Sequence, residues 1–181
     1  ADAAQCYFEV RHRTPAPKRD HYIHIAISPT KNADRIEWFV EKATELGVDR
    51  ITLMDCRNTE RSFIKTERLQ KVAISAMKQS VKAVVPLIQD QLLQFTEVVE
   101  QCQEQEKCVA FVDPENTLHL QDAATPKKSY CVLIGPEGDF SPEELKTASD
   151  HGFRKVSLGP SRLRTETAGM VACHILNLVN R

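Results

Sequence analysis

The sequence predicts an α/β domain, a mostly parallel sheet flanked by helices, and three observations carry that prediction. From residue 21 onward, short β-rich segments alternate with segments of helical apolar spacing. Tyr130 to Ile134, YCVLI, is a continuous apolar run, the mark of a strand covered on both faces. Two connections, at 134–140 and 158–168, place glycine beside proline, where a chain leaving a strand can turn sharply and approach a ligand closely.

Taken in order, CYFEVRHR (6–13) has the residue types of a strand, and Thr14-Pro15-Ala16-Pro17 reads as an extended linker. A single strand is not stable alone, so residues 1–18 are expected to be the remnant strand and linker of an earlier domain, with the α/β domain spanning 19–181. HYIHIAIS (21–28) is the first strand of that domain. Ile36, Phe39, Val40, Ala43 and Leu46 mark one face of a helix, with Gly47 placed to cap its end. RITLMDC (50–56) reads as a second strand. Leu69, Val72, Ala73, Ala76 and Met77 then predict a helix that runs until Pro86 stops it. A helix over 91–106, strands at 108–113 and 130–134, a short strand near 155–158 and a final helix from about 166 complete the pattern.

Composition bounds the function classes. The 181 residues, 41% hydrophobic and 27% charged, suffice for one ordinary domain and an appendage. No apolar run approaches the roughly 20 residues that cross a bilayer, so a membrane-spanning helix is not expected. ADAAQCYFEV at the start lacks the layout of a secretory signal, and a cytoplasmic location is expected. With a formal net charge of −1, any nucleic-acid contact must use local patches. Arg11, His12, Arg13, Lys18 and Arg19 form one such patch and Arg162 with Arg164 another, although solvated surface charge would look the same. Six cysteines, none in a C-x-x-C pair, read as small buried hydrophobes of a reducing compartment, and neither they nor the scattered histidines suggest a metal site.

The chemistry concentrates in the two loops. Ile134-Gly135-Pro136-Glu137-Gly138-Asp139-Phe140 leads into Ser141-Pro142-Glu143-Glu144, a capping box with proline at the first helical position. No Lys-Ser/Thr follows the glycines and no GxGxxG is present, so neither a triphosphate-binding loop nor a dinucleotide fingerprint is written here. Leu158 to Ala168, LGPSRLRTETA, packs two arginines, two threonines and a glutamate around a turn. A helix beginning at Thr165 would offer free backbone N–H groups to a carboxylate or phosphate. An ordinary capped helix with solvated charges fits the same residues.

Together, LIGPEGDFSPEE and LGPSRLRTETA closely resemble the paired signature of the ribosomal small-subunit RNA methyltransferase E family, which belongs to the SPOUT, or α/β-knot, methyltransferases. EWFVEKATELGVDRI (37–51), Arg57 to Arg61 in CRNTER and KQSVKAVVP (78–86) resemble its middle motifs, and the likeness covers about residues 20–181. Two positions depart from the family pattern. Asp139 stands where a second glycine is usual, a place expected not to touch the cofactor, and Ser161-Arg162 stand where an arginine and an aliphatic residue are usual. Leu163, Arg164, Thr165 and Glu166 match.

The resemblance implies a C-terminal trefoil knot holding S-adenosyl-L-methionine, methylation at N3 of a uridine in 16S ribosomal RNA of the small subunit, a homodimer, and a preceding PUA-like RNA-binding domain. Carried over residue by residue, the cofactor loops are Asp113-Pro114-Glu115, Ile134-Gly135-Pro136-Glu137-Gly138, and Leu158-Gly159 through Leu163, Arg164 and Thr165. Ile134, Leu158 and Leu163 are apolar walls for an adenine. Uracil N3 must lose a proton before it attacks, so a base or a stabilising cation is needed. Arg164 is the expected cation, and Glu137 and Glu166 are the candidate bases or positioning groups. Small residues of the last helix, Ala168, Gly169 and Ala172, are consistent with close approach of a second subunit or of a neighbouring helix in the same chain. Another RNA target, or a non-catalytic RNA-binding role in ribosome assembly, would be alternatives for the same fold.

Overall fold

The computed structural model describes residues 5–16, 18–61, 64–113 and 118–181. Strands β1 (Tyr22–Ile27), β2 (Arg50–Asp55), β5 (Glu106–Ala110), β6 (Ser129–Ile134) and β7 (Arg154–Val156) alternate with helices α1 (Ala33–Leu46), α2 (Thr66–Gln79), α3 (Phe95–Gln101), α4 (Leu120–Ala123), α5 (Pro142–Asp150) and α6 (Thr165–Val179). Two short strands, β3 (Leu87–Ile88) and β4 (Leu93–Gln94), both pair with β2. The sheet runs β3-β2-β1-β6-β5-β7. Every strand pairing in it is parallel, as the alternation required.

β1 and β6 form the centre, in register from Tyr22–Ser129 to Ile27–Ile134. Alternation along β1 sends Ile23, Ile25 and Ile27 into a core with Ile36, Phe39, Val40, Ala172 and Leu176 of α1 and α6. Ala26 of β1, with Cys131 and Leu133 of β6, packs on the other side with Phe95, Val98 and Val99 of α3 and Ala148 of α5. Both faces are therefore covered, which is why YCVLI is apolar throughout. Gly47 closes α1 in the left-handed region at φ 95°, and Ser141 with Glu144 forms the expected capping box on α5.

Four boundaries differ from the sequence expectation. Residues 6–13 form no strand, and Tyr7 and Phe8 are exposed; among the described residues no strand pairs with them to take their backbone hydrogen bonds. Helix α2 stops at Gln79, well before Pro86. Val81 N donates to Lys78 O and Lys82 N to Met77 O around a left-handed Val81 at φ 54°, a Schellman ending with valine where glycine is usual. The helix expected over 91–106 is only α3. Leu93 and Gln94 pair with β2, and Gln94 then caps the helix in a box with Glu97. The strand expected at 108–113 ends at Ala110, opposite the end of β6.

The small residues of α6 serve packing within the chain. A Cβ on Gly169 would sit 2.6 Å from Phe39 Cε2 and 3.0 Å from Ile27 Cδ1, and Ala172 is buried beside them. Five cysteines are buried, and burial pushes the thiols of Cys108 to about 11 and of Cys173 to about 12, so both stay protonated at neutral pH.

Candidate functional site

The carboxyl ends of β5, β6 and β7 open into a cavity of about 690 Å³, a volume typical of small-molecule sites. Three loops line it. Ala110 to Asp113 leaves β5, Ile134 to Glu137 with Asp139 leaves β6, and Ser157 to Thr165 connects β7 to α6. From β7 at the sheet edge the chain returns across to α6, which packs on α1 and β1 at the centre. The side of the third loop nearest α6 is tied to the second. Thr165 Oγ1 donates to Gly135 O at 3.0 Å, and Thr165 is buried.

Most of the residues expected from the sequence meet here. Asp113, Ile134, Gly135, Pro136, Glu137, Leu158, Gly159, Leu163, Arg164 and Thr165 all line the cavity, with Ile134, Leu158 and Leu163 supplying apolar wall. Gly159 sits at φ 121°, a conformation that L side chains rarely adopt, so the turn after β7 requires glycine. Arg164 is the N-cap of α6 and makes no side-chain cap, which leaves the first N–H groups of that helix to other partners. Pro114 and Glu115 lie outside the described residues.

Two expected residues stand elsewhere. Gly138 is not in the cavity wall; a Cβ there would lie 3.0 Å from Asn58 Cβ, so its smallness serves loop-to-loop packing. Glu166 is buried behind the wall. Its Oε1 lies 3.7 Å from Arg35 Nε, and its Oε2 has no hydrogen-bond partner among the described residues. Arg35, from the first turn of α1, does line the cavity.

The CRNTER segment buttresses the glycine loop. Asn58 Nδ2 donates to Gly138 O at 3.1 Å and Asp139 O at 3.0 Å, and Arg57 N donates to Glu144 Oε1 at 2.8 Å. Glu137 is held at the rim by the backbone N–H of Lys31 at 3.1 Å, while Lys31 O accepts from Arg61 Nε. These contacts give the middle motif a mechanical purpose that spacing along the chain does not reveal.

Asp139 is the residue that the sequence placed away from the ligand and the structure places on the cavity wall. It takes the left-handed region at φ 64°, which explains why glycine suits this position and why aspartate is tolerated. Its Oδ1 accepts from Phe140 N at 2.9 Å. Burial raises its pKa above the usual aspartate value, opposed by that hydrogen bond and by the positive charge of Arg162. The two departures from the family pattern thus share one electrostatic environment.

Among the described residues no helix is long and apolar enough to cross a membrane. Residues 17–177 match the family model described as an RNA methyltransferase domain. Ribosomal RNA small subunit methyltransferase E of Aquifex aeolicus is 30% identical over 90% of this chain and 70% of its own length. A crystal structure of a probable rRNA-methyltransferase from Porphyromonas gingivalis is 41% identical, covering 99% of this chain and 77% of that one at a TM-score of 0.90. A ribosomal RNA small subunit methyltransferase E from Neisseria gonorrhoeae, solved bound to S-adenosyl methionine, is 26% identical over 90% of this chain and 67% of its own, at a TM-score of 0.77. The chain spans about 61 to 70% of the length of the first curated relatives that it matches.

Because the raised pKa of Asp139 means that its charged form is disfavoured in the fold, Asp139→Asn is expected to increase stability at neutral pH. That gain should fade as pH falls below the carboxylate range, where the native carboxyl is already neutral. Chemical denaturation at the two extremes measures it; an equal effect at both would show that ionisation is not the cause.

Proposed function

The chain belongs to the ribosomal RNA small subunit methyltransferase E family, and from that premise we propose that its cavity binds S-adenosyl-L-methionine and methylates N3 of a uridine in 16S ribosomal RNA of the small subunit. The observation that carries this reading is the convergence of three strand-end loops on one cavity lined by Ile134, Leu158, Leu163 and Arg164. The residues fit the cofactor. Apolar Ile134, Leu158 and Leu163 suit an adenine, backbone groups of Gly135 and Gly159 are within the wall, and Asp113, Glu137 and Asp139 offer carboxylates to a cationic ligand.

When bound, S-adenosyl-L-methionine supplies an electrophilic methyl group. The rest falls to this chain. Uracil N3 must shed its proton as the new N–C bond forms, and the guanidinium of Arg164 stabilises the anion that develops. Glu137 and Asp139 stand on the wall as acceptors for the proton. Glu166, buried and paired with Arg35, acts as a positioning residue that holds Arg35 at the cavity. Return of the chain from β7 to α6 supports the trefoil knot of the family, and residues 1–18 are proposed to belong to a PUA-like RNA-binding domain. A cytoplasmic location and a homodimer complete the reading. Light scattering at micromolar concentration is expected to give twice the chain mass, and a clean monomer would refute the dimer.

Incubation with small ribosomal subunits and methyl-labelled cofactor, followed by nucleoside analysis, should yield 3-methyluridine. Arg164→Gln should slow the transfer roughly 100- to 1,000-fold, the usual effect of removing one group that stabilises a developing anion, while cofactor affinity changes little. Label in another nucleoside would overturn the target assignment, and an unaltered rate would remove Arg164 from the chemistry.

A further inference from the structure

We propose that a second site, for a thiophilic divalent cation and by its donor set for zinc, lies near the amino ends of the central strands, formed by His24, Cys102, Glu104 and Cys131. It is separate from the cavity, which opens at the other end of the same strands. His24 of β1 and Cys131 of β6 are register partners, so their side chains leave the same face of the sheet, the one covered by α3 and α5. Cys102 caps the carboxyl end of α3, and Glu104 follows in the turn toward β5.

The donor atoms already converge. Those of His24, Glu104 and Cys131 lie within 4.8 Å of one another. Glu104 Oε1 is 2.7 Å from His24 Nδ1, and its Oε2 accepts from Cys102 Sγ at 3.1 Å, which brings the second thiol to the cluster. A tetrahedral zinc with bonds of about 2.0 to 2.3 Å needs donors roughly 3.2 to 3.8 Å apart; His24, Glu104 and Cys131 stand near that spacing, and Cys102, already on Glu104, would turn in as the fourth ligand. Water is largely excluded: His24 is 3%, Cys102 8% and Cys131 0% exposed, and the Glu104 side chain is 9% exposed.

The surroundings suit a metal ligand set. His24 Nε2 is 2.8 Å from Thr52 Oγ1, a contact that fixes the ring and leaves Nδ1 for the cation, as second partners of metal-bound histidines do. Arg50, whose buried Nε has no hydrogen-bond partner among the described residues, lines a small cavity with His24, Thr52 and Cys102. Two thiolates, one carboxylate and a neutral imidazole around a divalent cation sum to one negative charge, which Arg50 would balance. Binding releases the two thiol protons to solvent, moves the His24 ring proton from Nδ1 to Nε2, where Thr52 Oγ1 accepts it, and replaces the contacts of Glu104 with His24 and Cys102 by bonds to the metal. Functionally the site would pin the α3–β5 turn to the two central strands.

Elemental analysis of the purified full chain should find about one zinc per chain after dialysis. Chelated protein refilled with cobalt(II) should show thiolate-to-cobalt charge transfer and the visible bands of a tetrahedral centre. The paired change Cys102→Ser with Cys131→Ser should abolish both signals, whereas Cys173→Ser, a buried cysteine outside the cluster, should keep them. Because the wild-type chain is read first, a folding failure in the paired variant leaves the test intact. No bound zinc and no cobalt spectrum in the wild-type chain would overturn the proposal, as would a mass lower by two hydrogens showing that Cys102 and Cys131 instead form a disulfide.

Discussion

The site hangs on the hydrogen bond from Thr165 Oγ1 to Gly135 O, because it joins the loop after β6 to the start of α6, where the chain has crossed from β7 at the sheet edge to the sheet centre. A buried hydroxyl and a loop carbonyl each lose water on folding, so the pair is worth only about 1 kcal/mol net but costs more when one member is left alone. Its leverage is geometric. With Thr165 fixed, Arg164 and Leu163 are presented to the cavity, and Ala168 one turn later closes its floor.

Beneath that bond lies a packing constraint of equal importance. Helix α6 can reach β1 only because Gly169 has no side chain to meet Phe39 and Ile27. The second loop is held from its far side by Asn58, Arg57 and Lys31, so the cavity wall is braced by residues that never face it. Rigid elements position the loops, and the loops carry the chemistry, the usual division in open α/β sheets. Three arginines, Arg35, Arg162 and Arg164, stand on the wall with three carboxylates, Asp113, Glu137 and Asp139.

Much of this was legible in the sequence where the signal was local. The apolar run at 130–134 and the spacing of Ile36, Phe39, Val40 and Ala43 report burial directly, because a residue's side is set by its own period. What escaped depends on contacts between distant segments. The two-residue strands β3 and β4 exist only through pairing with β2, and α2 ends on a valine that carries no stop signal. Asp139 lines the cavity and Gly138 packs on Asn58, a placement that only the three-dimensional position of Asn58 shows. His24, Cys102, Glu104 and Cys131 are likewise spread over more than half the chain, with no spacing that would announce a cluster.

The central claim is that the tied loops form a cofactor cavity, and heat denaturation with and without S-adenosyl-L-methionine tests it most directly. Ligand at about 100 times its dissociation constant should add about 2.7 kcal/mol, raising the midpoint by roughly 2–4 °C per kcal/mol. Thr165→Val should retain the fold and lose most of that shift. No shift in the wild-type chain, or an undiminished shift in Thr165→Val, would contradict the account.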